Sequence, residues 1–339
     1  MTATVTGSAG AILRLGNAFC DAQTLLTAVE LDLFSVLHDG PATEEDLRAR
    51  LALHGRGLRD FLRLLVQLDL LVEDNGRYRN TAATEDHLVA GAPSDVTGFL
   101  RGAKANLYPV WGGLTETLRS GLPRAAAENF AQMLGDPHQL RRYSEMMNGV
   151  LQPLIPRLLD ALDWSVHRSV LDVGGCQGSL VGRLVDTHPG LTGQVFDLPQ
   201  LRPVFNARMA ELGTAARVRF HAGDFFRDPL PQADVVILGH ILHNWQREQR
   251  EYLVSQAFRA VNPGGVLLVH DRMLEDECPR IDNLVASLTM ALVTEQGSEY
   301  KVSELTSIAL VAGFTSVTSR ALDDNETLVL CRKAAAAVE

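Results

Sequence analysis

Leu25, Leu26, Val29, Leu33, Phe34 and Leu37 recur at three- and four-residue intervals, which predicts one face of an amphipathic helix. A second helix begins in Pro41-Ala-Thr43-Glu-Glu-Asp-Leu47. Thr43 has the chemistry of an N-cap, acids fill the first turn, and Asp46 sits three residues on. A third runs through Leu58, Phe61, Leu62, Leu65, Val66 and Leu68. Residues 70–79 then offer two short strands around Asn75-Gly76, a hairpin dipeptide. Three helices and a hairpin make a winged-helix pattern, which is read as residues 1–95. Residues 96–165 are expected to be helical, with breaks at Pro109, Gly121-Leu-Pro123, Gly135-Asp-Pro137 and Pro153. Aromatics and methionines are frequent there (Trp111, Met133, Tyr143, Met147), and filling a core is the plainer account of most of them.

From residue 166 the pattern changes to alternating strands and helices. Strands are predicted over 169–174, 193–197, 217–222, 233–239, 264–270, 315–320 and 326–331. Runs such as Val235-Val-Ile-Leu238 and Val266-Leu-Leu-Val269 suit parallel strands buried on both faces. Only a short segment separates the last two strands, so an antiparallel pair is expected. The result is a doubly wound α/β sheet over 166–339, with its ligand beyond the C-terminal strand ends.

The first of these strands leads into Asp172-Val-Gly174-Gly175-Cys176-Gln-Gly178, and the second ends at Asp197-Leu198. An acid about 20 residues past a glycine turn has the spacing needed to hold ribose hydroxyls. The turn is not a dinucleotide turn: Cys176 and Ser179 replace its second and third glycines. Nor is there a Gly-Lys-Ser/Thr phosphate cradle. A phosphate-free nucleoside fits, and S-adenosylmethionine is the expected cofactor. Gly223-Asp224-Phe225-Phe226 follows the third strand, where Asp224 would accept from the adenine amino group and Phe225 pack on the ring. The blander reading has Asp224 and Asp197 capping the turns that follow them.

The chain of 339 residues is 46% hydrophobic and 21% charged, as expected of a soluble globular protein, and has no run long enough to span a membrane. Its start lacks a signal-peptide pattern and reads as a disordered lead-in. Cys20, Cys176, Cys278 and Cys331 match no disulfide or zinc spacing, so reduced thiols in a cytoplasm are expected. A net charge of −10 disfavours nucleic acid as a partner. Arg56, Arg59 and Arg63 make no sustained basic stripe, which argues against a winged-helix regulator.

The fourth strand ends in Gly239-His240-Ile-Leu-His243-Asn-Trp245. Methyl transfer from a sulfonium needs only an aligned acceptor and removal of its proton. A phenol of pKa about 10 can lose that proton to an imidazole as charge develops. His243 is the expected base. Asp271 or Glu299 would hold its far nitrogen and fix the tautomer. A loop histidine capping the next helix is the alternative. His240 with His243 and a carboxylate could bind a metal, but the spacing lacks a compact ligand motif, and no metal is expected.

Leu31-Asp-Leu-Phe34, Gly40 through Leu47, Tyr143-x-x-x-Met147, the Leu171–Gly178 turn, Asp197-Leu-Pro199, Gly223 through Phe226, His243-x-Trp245, Asn262-Pro-Gly-Gly265 and Gly297-x-Glu299 together resemble small-molecule O-methyltransferases. The match is to the bacterial natural-product type, related to plant caffeate-type enzymes. The resemblance implies a Rossmann-like class I methyltransferase sheet behind a winged-helix dimerisation domain, and a homodimer. It implies that Asp172, Gly174, Gly175, Gly178, Asp197, Leu198, Gly223, Asp224, Phe225, Gly239 and Tyr143 serve the cofactor. His243, Asp271 and Glu299 would serve catalysis, and Met147, His240, Trp245, Thr289 and Met290 would line a small aromatic acceptor, of antibiotic or other secondary metabolism. Two departures stand out: Cys176 replaces a glycine, and Asn244 stands where many relatives carry aspartate. Relatives that decarboxylate, hydroxylate or carry out metal-assisted C-methylation of α-keto acids keep those reactions open as alternatives. An NAD-dependent oxidoreductase is disfavoured by the glycine pattern.

Overall fold

The computed structural model describes residues 7–92, 94–124 and 132–336. The expected lead-in falls mostly outside them. The described residues sort into two compact units: residues 1–106 with 145–153, and residues 107–144 with 154–339. Residues 96–165 are thus shared between both units.

The first unit carries the helices Ala18–Glu30, Leu33–His38, Glu44–Arg50 and Leu58–Gln67. The predicted stripe from Leu25 to Leu37 does not lie on one helix. Asp32 adopts φ 53°, in the left-handed region, and breaks the run into two helices. Both halves still bury their apolar residues, with Val29, Leu33, Phe34 and Leu37 joining Leu47, Leu58, Leu62 and Leu65 in one core. The capping box at Thr43 forms as expected, Thr43 and Asp46 exchanging side-chain and backbone hydrogen bonds. Strands β1 (Ala42–Thr43), β2 (Leu71–Asp74) and β3 (Arg77–Asn80) form an antiparallel sheet. Asn75 and Gly76 both have positive φ, as a tight hairpin turn requires. Arg59 donates to Glu44 at 3.1 Å, so this arginine is neutralised within its own domain.

The second unit is built on seven strands: β4 (Ser169–Val173), β5 (Thr192–Asp197), β6 (Val218–Ala222), β7 (Ala233–Gly239), β8 (Val261–Asp271), β9 (Ser316–Ala321) and β10 (Thr327–Arg332). Their order is β6-β5-β4-β7-β8-β10-β9. The first five are mutually parallel, while β10 runs antiparallel to both β8 and β9. Val170, Leu171, Val235, Val236, Leu267 and Leu268 are fully buried, as continuous apolar strands covered on both faces require. Strand order reverses between β4 and β7, and in open sheets of this kind the ligand crevice lies outside the strand C-termini at such a switch point. The helix Ile281–Val293 packs against the helices Tyr108–Trp111 and Leu114–Ser120. Among the described residues no helix is long and apolar enough to cross a membrane.

Candidate active site

Every strand flanking the switch point delivers a candidate residue at its C-terminal end. Beyond β4, Gly174 has φ 77°, and a Cβ there would lie 2.2 Å from Ile241 Cδ1. Only glycine lets the turn pass beneath the β7 loop. Its N–H donates to Phe196 O, which ties the turn to β5. Cys176 follows with φ 52°, strained for a residue with a side chain. Its thiol lies 3.4 Å from Ser144 Oγ, and burial raises its pKa to about 12, so it is not a nucleophile.

Asp197 closes β5. Its Oδ2 accepts the Cys176 N–H at 2.8 Å and its Oδ1 the Leu198 N–H at 2.7 Å. Each oxygen keeps accepting capacity for a hydroxyl. Burial outweighs these amides and raises its pKa to about 6. Asp172, buried beneath the turn, is raised to about 7 by burial and then by Asp197. A second carboxylate this close disfavours two charges on the floor of the crevice. Gly175 presses on Asp172, with a Cβ there 2.7 Å from its carboxyl group.

After β6, Asp224 does cap its own turn, accepting the Phe226 N–H at 2.9 Å, and Arg227 Nε lies 3.4 Å from its other oxygen. Phe225 stands edge-on to Trp245 with centroids 6.0 Å apart, and Phe226 meets Trp245 at 4.6 Å. Trp245 therefore backs Phe225. Tyr143 is in the same unit as this crevice, whereas Met147 belongs to the N-terminal unit. Thr289 and Met290 are half-buried on the helix Ile281–Val293, and the Thr289 hydroxyl bonds back to Val285 O.

His243 sits in a single 3₁₀ turn, Leu242–Asn244, just past β7. Asn244 Nδ2 donates to His240 O and Ile241 O, a turn-closing role that the amide fills well. Asp271, at the end of β8, and Glu299 both face His243 Nδ1, at 3.6 Å and 2.9 Å. Both expected carboxylates therefore meet the same ring nitrogen. Burial alone would depress the imidazole, but Asp271 and then Glu299 reverse this and raise its pKa to about 9. Burial pushes Asp271 above the ordinary carboxylate range, against the pull of His243.

Several supports were not anticipated from sequence. Tyr300 donates its hydroxyl to Asp271 Oδ2 at 2.6 Å. Arg250 is buried and donates to Leu242 O, Ser298 O and Glu304, with its guanidinium over the Tyr300 ring. It bridges the segment carrying His243 to the one carrying Glu299. Tyr300 could have been sought as the neighbour of Glu299, but nothing in the polar helix Arg247–Ala260 marks Arg250 as buried. His240 takes φ 53° and faces Asp271 and Glu326. His270 lies beneath Gly239, where a Cβ would come 2.1 Å from its Nε2.

The O-methyltransferase domain model matches residues 111–315, and the O-methyltransferase dimerisation domain model matches residues 13–90. The chain belongs to the O-methyltransferase family. It is 41% identical to the tetracenomycin polyketide synthesis 8-O-methyl transferase TcmO of Streptomyces glaucescens, over 96% of each chain. It is 36% identical to the N,N-dimethyltransferase OxyT of Streptomyces rimosus, over 90% of each. Human N-acetylserotonin methyltransferase in complex with S-adenosylmethionine superposes with a TM-score of 0.89 at 26% identity, covering 98% of this chain and all of that one. PigF with S-adenosylhomocysteine gives 0.84 at 25% identity, covering 96% and 100%. The family assignment expected from the motifs therefore holds, and with it an S-adenosylmethionine-dependent O-methyltransferase on a class I methyltransferase sheet.

Proposed function

We propose that this methyltransferase modifies a hydroxyl on a planar aromatic acceptor of polyketide type, with His243 as general base. The observation that carries this reading is the buried His243 imidazole, its Nδ1 occupied by Glu299 at 2.9 Å at the end of β7. With Nδ1 engaged, Nε2 is the nitrogen that receives the acceptor proton. S-adenosylmethionine supplies an activated methyl group on a sulfonium, so the S–CH₃ bond breaks as the O–CH₃ bond forms.

Asp197 holds the ribose hydroxyls with its remaining lone pairs, and the Gly174 turn lies along the methionine portion. Phe225, backed by Trp245, makes a wall for the adenine, and Asp224 receives its amino group on the oxygen not used by Phe226. Asp271 and Glu299 bring the conjugate acid of His243 to about 9, near the phenol value of about 10, so proton transfer is close to thermoneutral. Thr289 and Met290 are assigned to the acceptor.

The dimerisation-domain match supports a homodimer. Ile12, Leu13 and Leu15 on the first helix, Ala9–Gly16, and Phe19 on the next, Ala18–Glu30, are exposed and form the apolar face we assign to it. A labelled-methyl screen against phenolic, amine and α-keto acid acceptors tests the reading. Label in an aryl methyl ether supports it. Label only on nitrogen, as in the name of the OxyT relative, or on carbon overturns the choice of nucleophile.

A further inference from the structure

We propose that His240, His270 and Glu326 form a binding site for a divalent transition-metal ion of the zinc class, beside the His243 cluster and using none of its ring nitrogens. The adjacent strands β7, β8 and β10 assemble it. His240 follows β7, His270 lies opposite Gly239 on β8, and Glu326 immediately precedes β10, whose Thr327 pairs with Asp271. One donor atom from each of the three falls within 4.8 Å of the others.

His240 Nε2 stands 3.4 Å from the Glu326 carboxylate without hydrogen-bond geometry. A zinc ion with bonds of about 2.0–2.1 Å needs its ligand atoms gathered this closely, with small side-chain rotations. His240 Nε2, His270 Nδ1 and Glu326 Oε2 all lack a hydrogen-bond partner, although His270 and Glu326 are each only 2% exposed. Buried polar atoms are rarely left so. Because His270 Nε2 faces Gly239, Nδ1 is its available donor.

The outer groups are consistent with such a site. Arg272 Nε lies 3.3 Å from Glu326 Oε1, leaving Oε2 for an ion. His240 Nδ1 points toward Asp271 Oδ1 at 3.9 Å, the kind of carboxylate that orients a metal-bound imidazole. Two imidazoles and one carboxylate select zinc, cobalt or iron over magnesium or calcium. Three protein ligands leave a fourth position open. His240, His243 and Asp271 make a second geometric trio in which Asp271 Oδ1 is also open, but His243 Nδ1 is bound to Glu299.

Protein bearing no polyhistidine tag, stripped with chelator, is titrated with Co²⁺ and followed by its visible absorption. A saturable one-to-one signal, displaced by Zn²⁺, is expected. Glu326→Gln and His270→Ala weaken Co²⁺ binding by about 10–100-fold, whereas His243→Ala leaves it unchanged. If His270→Ala does not fold, the near-isosteric Glu326→Gln carries the test, with circular dichroism checking its fold. Absence of a one-to-one signal overturns the site. So does binding that survives Glu326→Gln but is lost in His243→Ala.

Discussion

Replacing Glu299 by Gln keeps an oxygen on His243 Nδ1 and removes one negative charge. The contact is a charge-assisted hydrogen bond of 2.9 Å between buried groups. Such bonds contribute about 1.5–3 kcal/mol, and at 1.36 kcal/mol per pK unit this predicts a fall of about 1–2 units in the His243 pKa. Starting from about 9, the variant imidazole titrates about 1–2 units lower. At pH about 7.5 the wild-type base is only about 3% unprotonated, and the variant about 25–75%. Its intrinsic strength falls in compensation, by about 3–10-fold for a Brønsted coefficient of about one half. The expected outcome is distinctive: kcat/KM on the alkaline plateau drops by about 3–10-fold, while at pH about 7.5 it rises about 2–3-fold. The assay is kcat/KM for methyl transfer against pH for both proteins, with donor affinity measured in parallel. An inflection that stays at the wild-type position would refute the claim that Glu299 tunes the titrating group.

Three further outcomes follow from the geometry. Asp197→Asn should weaken S-adenosylmethionine by about 10–100-fold in calorimetry, as loss of a charged acceptor implies, and should leave the pH profile in place; unchanged affinity would remove Asp197 from the cofactor site. Asp172 has a folded pKa of about 7, above its unfolded value of about 3.9, so its contribution to stability is complete at low pH and is lost as pH rises through 7. Asp172→Asn should therefore stabilise the unliganded protein above about pH 7, by up to about 4 kcal/mol, with the gain vanishing near pH 4 in thermal melts; identical pH dependence of Tm in both proteins would contradict it. Leu13→Asp, on the exposed face of the first helix, should shift sedimentation toward monomer, and an undisturbed dimer would place the interface elsewhere.

The sheet was the most legible part of the chain. Predicted strands such as 233–239 coincide with the observed ones, and others such as 169–174 and 264–270 agree to within a few residues, because buried parallel strands carry long apolar runs bounded by turn residues. The antiparallel pairing of β9 and β10 also followed from the short connection. Conformation rather than hydrophobicity set the misses. The break at Asp32 lies within an unbroken apolar stripe, and only its left-handed backbone reveals it. The midsection at 96–165 looked like one segment because helical periodicity does not say which unit a helix joins.

At the strand ends, Asp197, His243, Asp271 and Glu299 could be singled out as candidates because each ends a strand or belongs to a short motif. His270 and Glu326 could not. They meet only because β10 runs back along β8 with Leu328 opposite His270, a register no local pattern encodes. Arg250 was hidden for a related reason, since its burial depends on a loop about fifty residues later in the chain.

A single-turnover experiment tests the central assignment most directly. His243→Ala, and His243→Gln if the first does not fold, is loaded with methyl-labelled S-adenosylmethionine, shown by calorimetry to bind the donor within a few-fold of wild type, and mixed with a phenolic polyketide acceptor. The account predicts that the donor is bound but no labelled methyl ether forms on the wild-type timescale. Labelled ether appearing at the wild-type rate would mean that alignment alone drives the transfer, and would contradict the role given to His243.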